Sequence, residues 1–318
     1  MTPAAGTVLY TRCMPRRKTP LAPTPPAPGS ARVEEAIREQ QRRICASATT
    51  LATAGVEDVH QGRVAARRLR SLLKTFGPLL EPGRARLYRA DLRSFARALG
   101  AVREADVRKE LLLALARADE GLAPDDRRRL GALLDDHCIA ERENMRRHLR
   151  EPGWGALCRA LERHGTGAAL FTVRDAGLAD VVELAASAWR RPVRMLRDEP
   201  ETAAELHELR LAFKHCRYAL EPIADVAPKA TLRLLRRLRA AQDRIGEHRD
   251  ALLTEHWVSA QERALGRSLV ASLLEDLSGH ERILRRQAAG RARKVLPAWR
   301  GWRDATRRLR KAGKRDPR

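Results

Sequence analysis

Residues 59–76 read VHQGRVAARRLRSLLKTF and place His60, Arg63, Arg67, Arg68, Arg70 and Lys74 on one short segment without an acidic residue. A helix turns by about 100° per residue, so Arg63, Arg67, Arg70 and Lys74 all fall within about 80° of His60. Ala65, Ala66, Leu69, Leu72, Leu73 and Phe76 fall on the opposite side. The segment reads as a helix with one packed face and one cationic face.

A second stretch, LHELRLAFKHCRYALEPI at 206–223, repeats the pattern. His60 aligns with His207, Arg63 with Arg210, Arg67 with Lys214, Arg70 with Arg217 and Leu73 with Leu220. Here His207, Arg210, Lys214 and Arg217 share a face opposite Leu209, Phe213, Cys216 and Leu220. The likeness continues downstream, where LRSFARALGAVRE (92–104) matches LRAAQDRIGEHRD (238–250). Arg93 falls on Arg239, Gly100 on Gly246 and Arg103 on Arg249. The chain is therefore expected to hold an internal duplication of a four- or five-helix unit, with one repeat at about 31–165 and the other at about 174–300. In the first repeat Arg86, Arg89, Arg93 and Arg97 share a face of the following helix, whereas Arg97 aligns with Asp243 in the second.

An arginine stripe on a helix is ordinarily a solvated face. Such faces mix Glu with Lys at i,i+4, which favours the helix by a few tenths of a kcal/mol. The first stripe has no acid to do this, and the same ladder occurs in both halves. Charge retained at that cost points to an anionic ligand. The two histidines stand one turn before an arginine and can donate to an oxyanion, more strongly when protonated near a pKa of about 6.5. They are poor metal ligands, because the first has no second histidine or carboxylate at i+4.

Composition agrees. The 318 residues include 63 Lys+Arg against 40 Asp+Glu, a formal charge of +23, which attracts polyanions. Aromatic residues at 4% are too scarce for the stacking platforms that grip single-stranded nucleic acid. Cys13, Cys45, Cys138, Cys158 and Cys216 are odd in number and form no CxxC, the usage of reduced thiols in a cytosolic protein. No apolar run of about 18 residues exists, so no membrane span is expected, and the N-terminus lacks the apolar segment of a signal peptide.

Residues 1–30 hold seven of the 17 prolines and no acid, and read as a disordered basic tail. The end of the chain, 301–318, reads as a second basic tail that frays over RRLRKAGKRDPR. Between them the periodicity is helical throughout, so the fold class is all-α. Helices are expected at about 31–53, 57–77, 84–117, 125–149, 154–164, 176–198, 203–222, 229–247, 250–264 and 266–296, separated by Gly and Pro. Thr202 with Glu205 forms a capping box for the helix that follows.

The two ladders, each followed by an LG…RE or IG…RD block, resemble the CHAD family, the conserved histidine α-helical domain, over about 31–300. The resemblance implies two antiparallel helical bundles related by a pseudo-two-fold across a central basic groove. It also implies binding of inorganic polyphosphate and, as in some members, association with polyphosphate granules, which fits the cytoplasmic location read from the cysteines. Carried over by position, His60, Arg63, Arg67, Arg70, Lys74 and Arg93 would line the groove from one half, and His207, Arg210, Lys214, Arg217 and Arg239 from the other. Arg97, Arg103 and Arg249 join them as candidates. Two departures are visible: Gly62 weakens a helix start by about 1 kcal/mol, and Glu221 takes the place of Lys74. The ExExK motif of the metalloenzyme domain fused to some members is missing.

Polyphosphate suits the pattern physically. It has no bases to read, and the guanidinium fork binds phosphate oxygens bidentately. No Gly-rich phosphate loop, HExxH or DxD-type cluster is found, so no enzyme, cofactor or catalytic metal is expected. Glu104, Asp106 and Asp250 read as caps or arginine partners. The alternative is non-specific nucleic-acid binding, with weak contacts through the basic tails.

Overall fold

The structure, a computed structural model, describes residues 29–50, 56–165, 175–200 and 202–313. Residues 1–28 of the N-terminal tail, residues 51–53 of the first expected helix and residues 314–318 lie outside the described residues.

Every regular element described is helical. The chain runs through α1 (Gly29–Thr50), α2 (Val56–Thr75), α3 (Pro82–Ala118), α4 (Pro124–Leu149) and α5 (Pro152–Gly165). It continues with α6 (Leu178–Ser187), α7 (Arg190–Arg197), α8 (Ala203–Leu220) and α9 (Pro228–Ser259). The last elements are α10 (Glu262–Leu265), α11 (Arg267–Arg293), α12 (Val295–Ala305) and α13 (Arg307–Gly313). Both ladder helices, α2 and α8, end in a 3₁₀ turn, at Gly77–Leu79 and Glu221–Ile223, and each turn leads into a long helix.

Local chemistry explains the boundaries. Proline, whose missing N–H costs nothing in a first turn, opens α3, α4, α5 and α9. The capping box at α8 forms as expected: Glu205 N donates to Thr202 Oγ1 at 3.2 Å, and Thr202 N donates to Glu205 Oε2 at 3.0 Å. Four expected helices differ. The stretch 176–198 divides into α6 and α7, and 266–296 into α11 and α12. Both breaks lie four residues before a proline, Pro192 and Pro297, where the ring would strike the i−4 carbonyl. At the first break that carbonyl, on Ala188, accepts from Cys216 Sγ at 3.3 Å instead. Conversely, 229–247 and 250–264 are not separate, because nothing between them breaks a helix and α9 runs unbroken to Ser259.

α1, α2, α5, α6, α8 and the first halves of α3 and α9 surround the main core, which includes Leu69, Phe76, Phe95, Leu209, Phe213 and Leu238. A second core, formed by Leu112, Leu130, Leu134, Val258, Leu265 and Leu273, ties the far end of α3 to α4, α9, α10 and α11. The expected C-terminal tail, 301–318, is corrected over its described residues, 301–313, which run through α12 and α13. Trp302 is fully buried beside Trp299, which stacks on Trp189 with ring centroids 4.5 Å apart. Trp302 Nε1 donates to Thr231 Oγ1 at 3.0 Å, and Arg310 Nε on α13 donates to Glu183 at 2.7 Å. Basic composition concealed this, because the two tryptophans that anchor α12 are spaced three residues apart among arginines.

Gly62 also reads differently in three dimensions. A Cβ there would meet Ser47 Cβ at 3.2 Å and Leu99 Cδ1 at 3.3 Å. The residue lets α1, α2 and α3 approach closely, so its poor helix propensity is offset by packing.

Candidate anion-binding cavity

Four helices bring the ladders together. α2 packs against α3, α8 against α9, and the pairs meet where α2 crosses α8 and α3 crosses α9. At that crossing lies a cavity of about 260 Å³. Its walls carry His60, Arg63 and Arg67 from α2, Arg103 from α3, Arg210, Lys214 and Arg217 from α8, and Arg249 from α9. Acidic and neutral lining comes from Glu104, Asp243, Asp250, Gln242, Tyr218, Val64 and Val107.

The glycines of the paired blocks open this space. A Cβ on Gly246 would lie 2.7 Å from Arg210 Nη2 and 3.1 Å from its Nε, and one on Gly100 would lie 3.7 Å from Arg63 Nε. With only hydrogen at these positions, the Arg210 guanidinium packs directly on α9 and Arg63 Nε approaches α3. Arg210 Nε then donates to the Gln242 carbonyl at 3.1 Å, which holds the side chain in one orientation. Arg217 lies over the Tyr218 ring at 4.9 Å, and its Nη2 donates to the phenol oxygen at 3.3 Å.

The positive charge is partly answered within the chain, contrary to what the acid-free stretch suggested. Glu104 bridges the halves, with Oε1 at 4.0 Å from Arg63 Nη2 and 3.4 Å from Arg249 Nη1. Asp106 pairs with Arg142 at 2.9 Å, so both acids of that block are arginine partners as expected. Asp250 is half-buried close to Arg210, Arg249 and Arg63, and desolvation raises its carboxyl above the usual range against their pull. Seven basic side chains nevertheless face three acidic ones on the cavity wall.

Burial acts on the cations too. Lys214 is 8% exposed, and burial, followed by repulsion from Arg67, Arg210, Arg63 and Arg249, pushes its ammonium down to about 5. Burial pushes Arg63 to about 10 and lowers Arg210. His60 and His207 also fall below the ordinary histidine value, first through burial and then through Arg103 and Arg249 respectively. An anion inside this wall meets side chains whose charged forms are disfavoured until it arrives.

The other expected residues stand elsewhere. His207 lies one turn before Arg210 and off the cavity wall, with Nδ1 buried and without a hydrogen-bond partner among the described residues. Arg70 points toward α3, where Arg93 and Arg89 are its nearest charges. Lys74 lines a separate cleft with His215, Arg190 and Leu211. Arg97 lines another with Ser94, Asn144 and His148. Arg93 and Arg239 are exposed on α3 and α9. Sequence reasoning did not single out Tyr218 or Gln242 for this wall, and Asp243 entered only as the partner of Arg97. The signal for Gln242 was its place one turn before Gly246, the glycine that admits Arg210.

A sequence model of the CHAD domain matches residues 35–259, more than half of the chain, so the protein belongs to the CHAD domain family. Two of the solved structures that share its fold are similar over most of the chain. One is PptA from Streptomyces chartreusis, with a TM-score of 0.63 and 19% identity over 88% of this chain and 100% of that one. The other is the CHAD domain from the plant Ricinus communis, with a TM-score of 0.64 and 23% identity over 87% of this chain and 92% of that one. No curated protein matches the sequence significantly. Among the described residues no helix is long and apolar enough to cross a membrane, and no three His, Cys, Asp or Glu side chains converge as a metal site.

Proposed function

We infer that this protein binds inorganic polyphosphate, without catalysis, in the cavity between α2, α3, α8 and α9. One observation carries the reading: seven cationic side chains from four helices converge on one wall, with only Glu104, Asp243 and Asp250 against them. Family membership supports it, through the polyphosphate binding that the resemblance implied. The nearby acids are engaged by arginines and are poorly placed to act as bases or metal ligands. Tyr218, the one Phe, Tyr or Trp ring on the wall, is buried under Arg217 and offers no platform for a base. Binding to the polymer would direct the protein to cytoplasmic polyphosphate granules.

Calorimetric titration of the full chain with long-chain polyphosphate tests this, with duplex DNA titrated in parallel. Unmodified protein binds polyphosphate tightly, and log Kd rises with log salt concentration in proportion to the phosphates neutralised. Arg63→Ala/Arg67→Ala/Arg210→Ala/Lys214→Ala loses that binding, and DNA fails to displace polyphosphate at equal charge. Equal binding of both polymers, or an unaffected variant, would move the reading to non-specific nucleic-acid binding.

A further inference from the structure

The arginines that the structure separates from the cavity form a second grouping. Arg67 stands on the cavity wall, and Arg70 follows it by one turn of α2. The charged groups that bear on Arg70 are Arg93, Arg89, Arg67 and Arg97, all of them cationic. Its Nε is buried and has no hydrogen-bond partner among the described residues. No ion pair involves Arg70, Arg89, Arg93 or Arg97 among those residues, and Arg93 and Arg97 are exposed. Lys74 and Arg89 both bear on His215, so Lys74 flanks the same path. A continuous cationic line thus leaves the cavity at Arg67 and crosses from α2 onto α3.

The second half has no such line, because acids replace cations at two matching positions. Glu221 stands where the first half has Lys74, and Asp243 where it has Arg97. Glu221 is drawn between the cations of that outlet, with its carboxylate oxygens 3.4 Å from Arg68 Nε and 3.9 Å from Arg217 Nε. Arg239, the counterpart of Arg93, acts on the same carboxylate. Asp243 turns back into the cavity wall.

We propose that Arg70, Arg89, Arg93 and Arg97 form an outlet track on the first half alone, which engages the part of a polyphosphate chain too long for the cavity and so selects long polymers over short ones. This rests on the polyphosphate reading above and adds the chain-length preference. A short oligomer is satisfied by the cavity wall. A long chain leaves on one side only, over α3, because the other outlet is neutralised by Glu221.

The test compares tripolyphosphate with long-chain polyphosphate on the full protein, by calorimetry over a range of salt. Arg70→Gln/Arg89→Gln/Arg93→Gln weakens long-chain binding by about 10- to 100-fold and lowers the salt slope by about two to three. Its tripolyphosphate Kd stays within about twofold, since the cavity wall is untouched. The variant folds at least as well as the parent, because it relieves repulsion between like charges. Arg282→Gln/Arg286→Gln/Arg291→Gln removes equal charge from exposed positions of α11, which places nothing on the cavity wall, and changes long-chain binding by no more than about threefold. Equal losses in the two triple variants, or equal weakening of both ligands by the first, would overturn the track and leave the cavity reading standing. If unmodified protein binds neither ligand, the polyphosphate reading falls and the track falls with it.

Discussion

Lys214 carries the clearest single-residue consequence. It is 8% exposed, forms no ion pair or hydrogen bond among the described residues, and has four arginines as its strongest charged neighbours. The groups around it are His60, Arg63 and Arg67 from α2, Arg103 and Glu104 from α3, His207, Arg210, Arg217 and Tyr218 from α8, and Asp243, Arg249 and Asp250 from α9. In the folded protein burial and the surrounding arginines hold its pKa down at about 5, against the ordinary lysine value of 10.5. Between those values the unfolded chain holds the extra proton, so this residue makes folding stability rise with pH across that window. Polyphosphate reverses the preference by supplying negative charge, and the ammonium regains its proton on binding. Affinity therefore falls as pH rises through neutrality, by up to about tenfold per unit. Calorimetry in two buffers of different ionisation enthalpy should find uptake of about one proton above pH 7, lost in Lys214→Met. His60 and His207 add protons only at lower pH, because burial depresses both.

The same residue separates stability from binding. Lys214→Met removes a buried amine that lacks an acceptor, at a gain of about 1–3 kcal/mol to the free protein. A thermal melt should show a higher Tm for this variant, while titration shows polyphosphate affinity lowered by about 10- to 100-fold. Lower stability would mean that Lys214 serves as a packing residue.

Among the elements, α9 joins shape to charge. Gly246 sits in the middle of this 32-residue helix, where glycine costs about 1 kcal/mol relative to alanine. The space it leaves is filled by the Arg210 guanidinium. In Gly246→Ala the added methyl meets the end of a flexible side chain, so the helix gains and Arg210 shifts. Circular dichroism should report unchanged or higher stability, and titration should report affinity lowered by about three- to tenfold, the loss of one oriented guanidinium–phosphate contact. An unchanged affinity would show that Arg210 is not held for a ligand.

Legibility in the sequence divides along the same line. The all-α class and the approximate place of the helical segments up to α11 followed from apolar periodicity and from Gly and Pro punctuation, whereas α12 and α13 did not. The paired ladders named eight of the side chains on the cavity wall: His60, Arg63, Arg67, Arg103, Arg210, Lys214, Arg217 and Arg249. The periodicity of α2 could not show where the shared face stops facing α8. Helices cross at an angle, so Arg63 and Arg67 look into the crossing while Arg70 and Lys74, further along, look past it. Contacts between distant segments were equally hidden. Glu104 reaching Arg249 and Trp302 reaching Thr231 each join residues far apart in the chain, and no local pattern encodes them.

At the scale of the whole molecule, the segment beyond residue 259 belongs to the folded body although the family match ends there. The most extensive helix pairing is that of α9 with α11, and α12 adds the Trp189–Trp299–Trp302 stack. A chain ending at residue 259 would uncover Val258, which packs in the second core with Leu269, Leu273 and Leu277, and would leave the buried His248 and Thr231 without Glu281 and Trp302. It should lose the cooperative thermal transition of the full chain and aggregate, as seen by circular dichroism and light scattering. Retention of the transition would show that α11–α13 only decorate a self-sufficient core.

The hydrogen bond from Cys216 to the carbonyl released by Pro192 gives the protein a clock. The thiol is fully buried on the side of α8 turned away from Lys214, and burial holds it well above the usual thiol range. A maleimide reaches it only when α8 lifts from the α6–α7 junction, whereas Cys45 and Cys158 are partly open from the start. Its labelling rate, followed by peptide mass spectrometry, therefore counts how often the ladder helix detaches. A polymer that holds α8 against α2 slows this count, by about a hundredfold when its free concentration is a hundred times Kd.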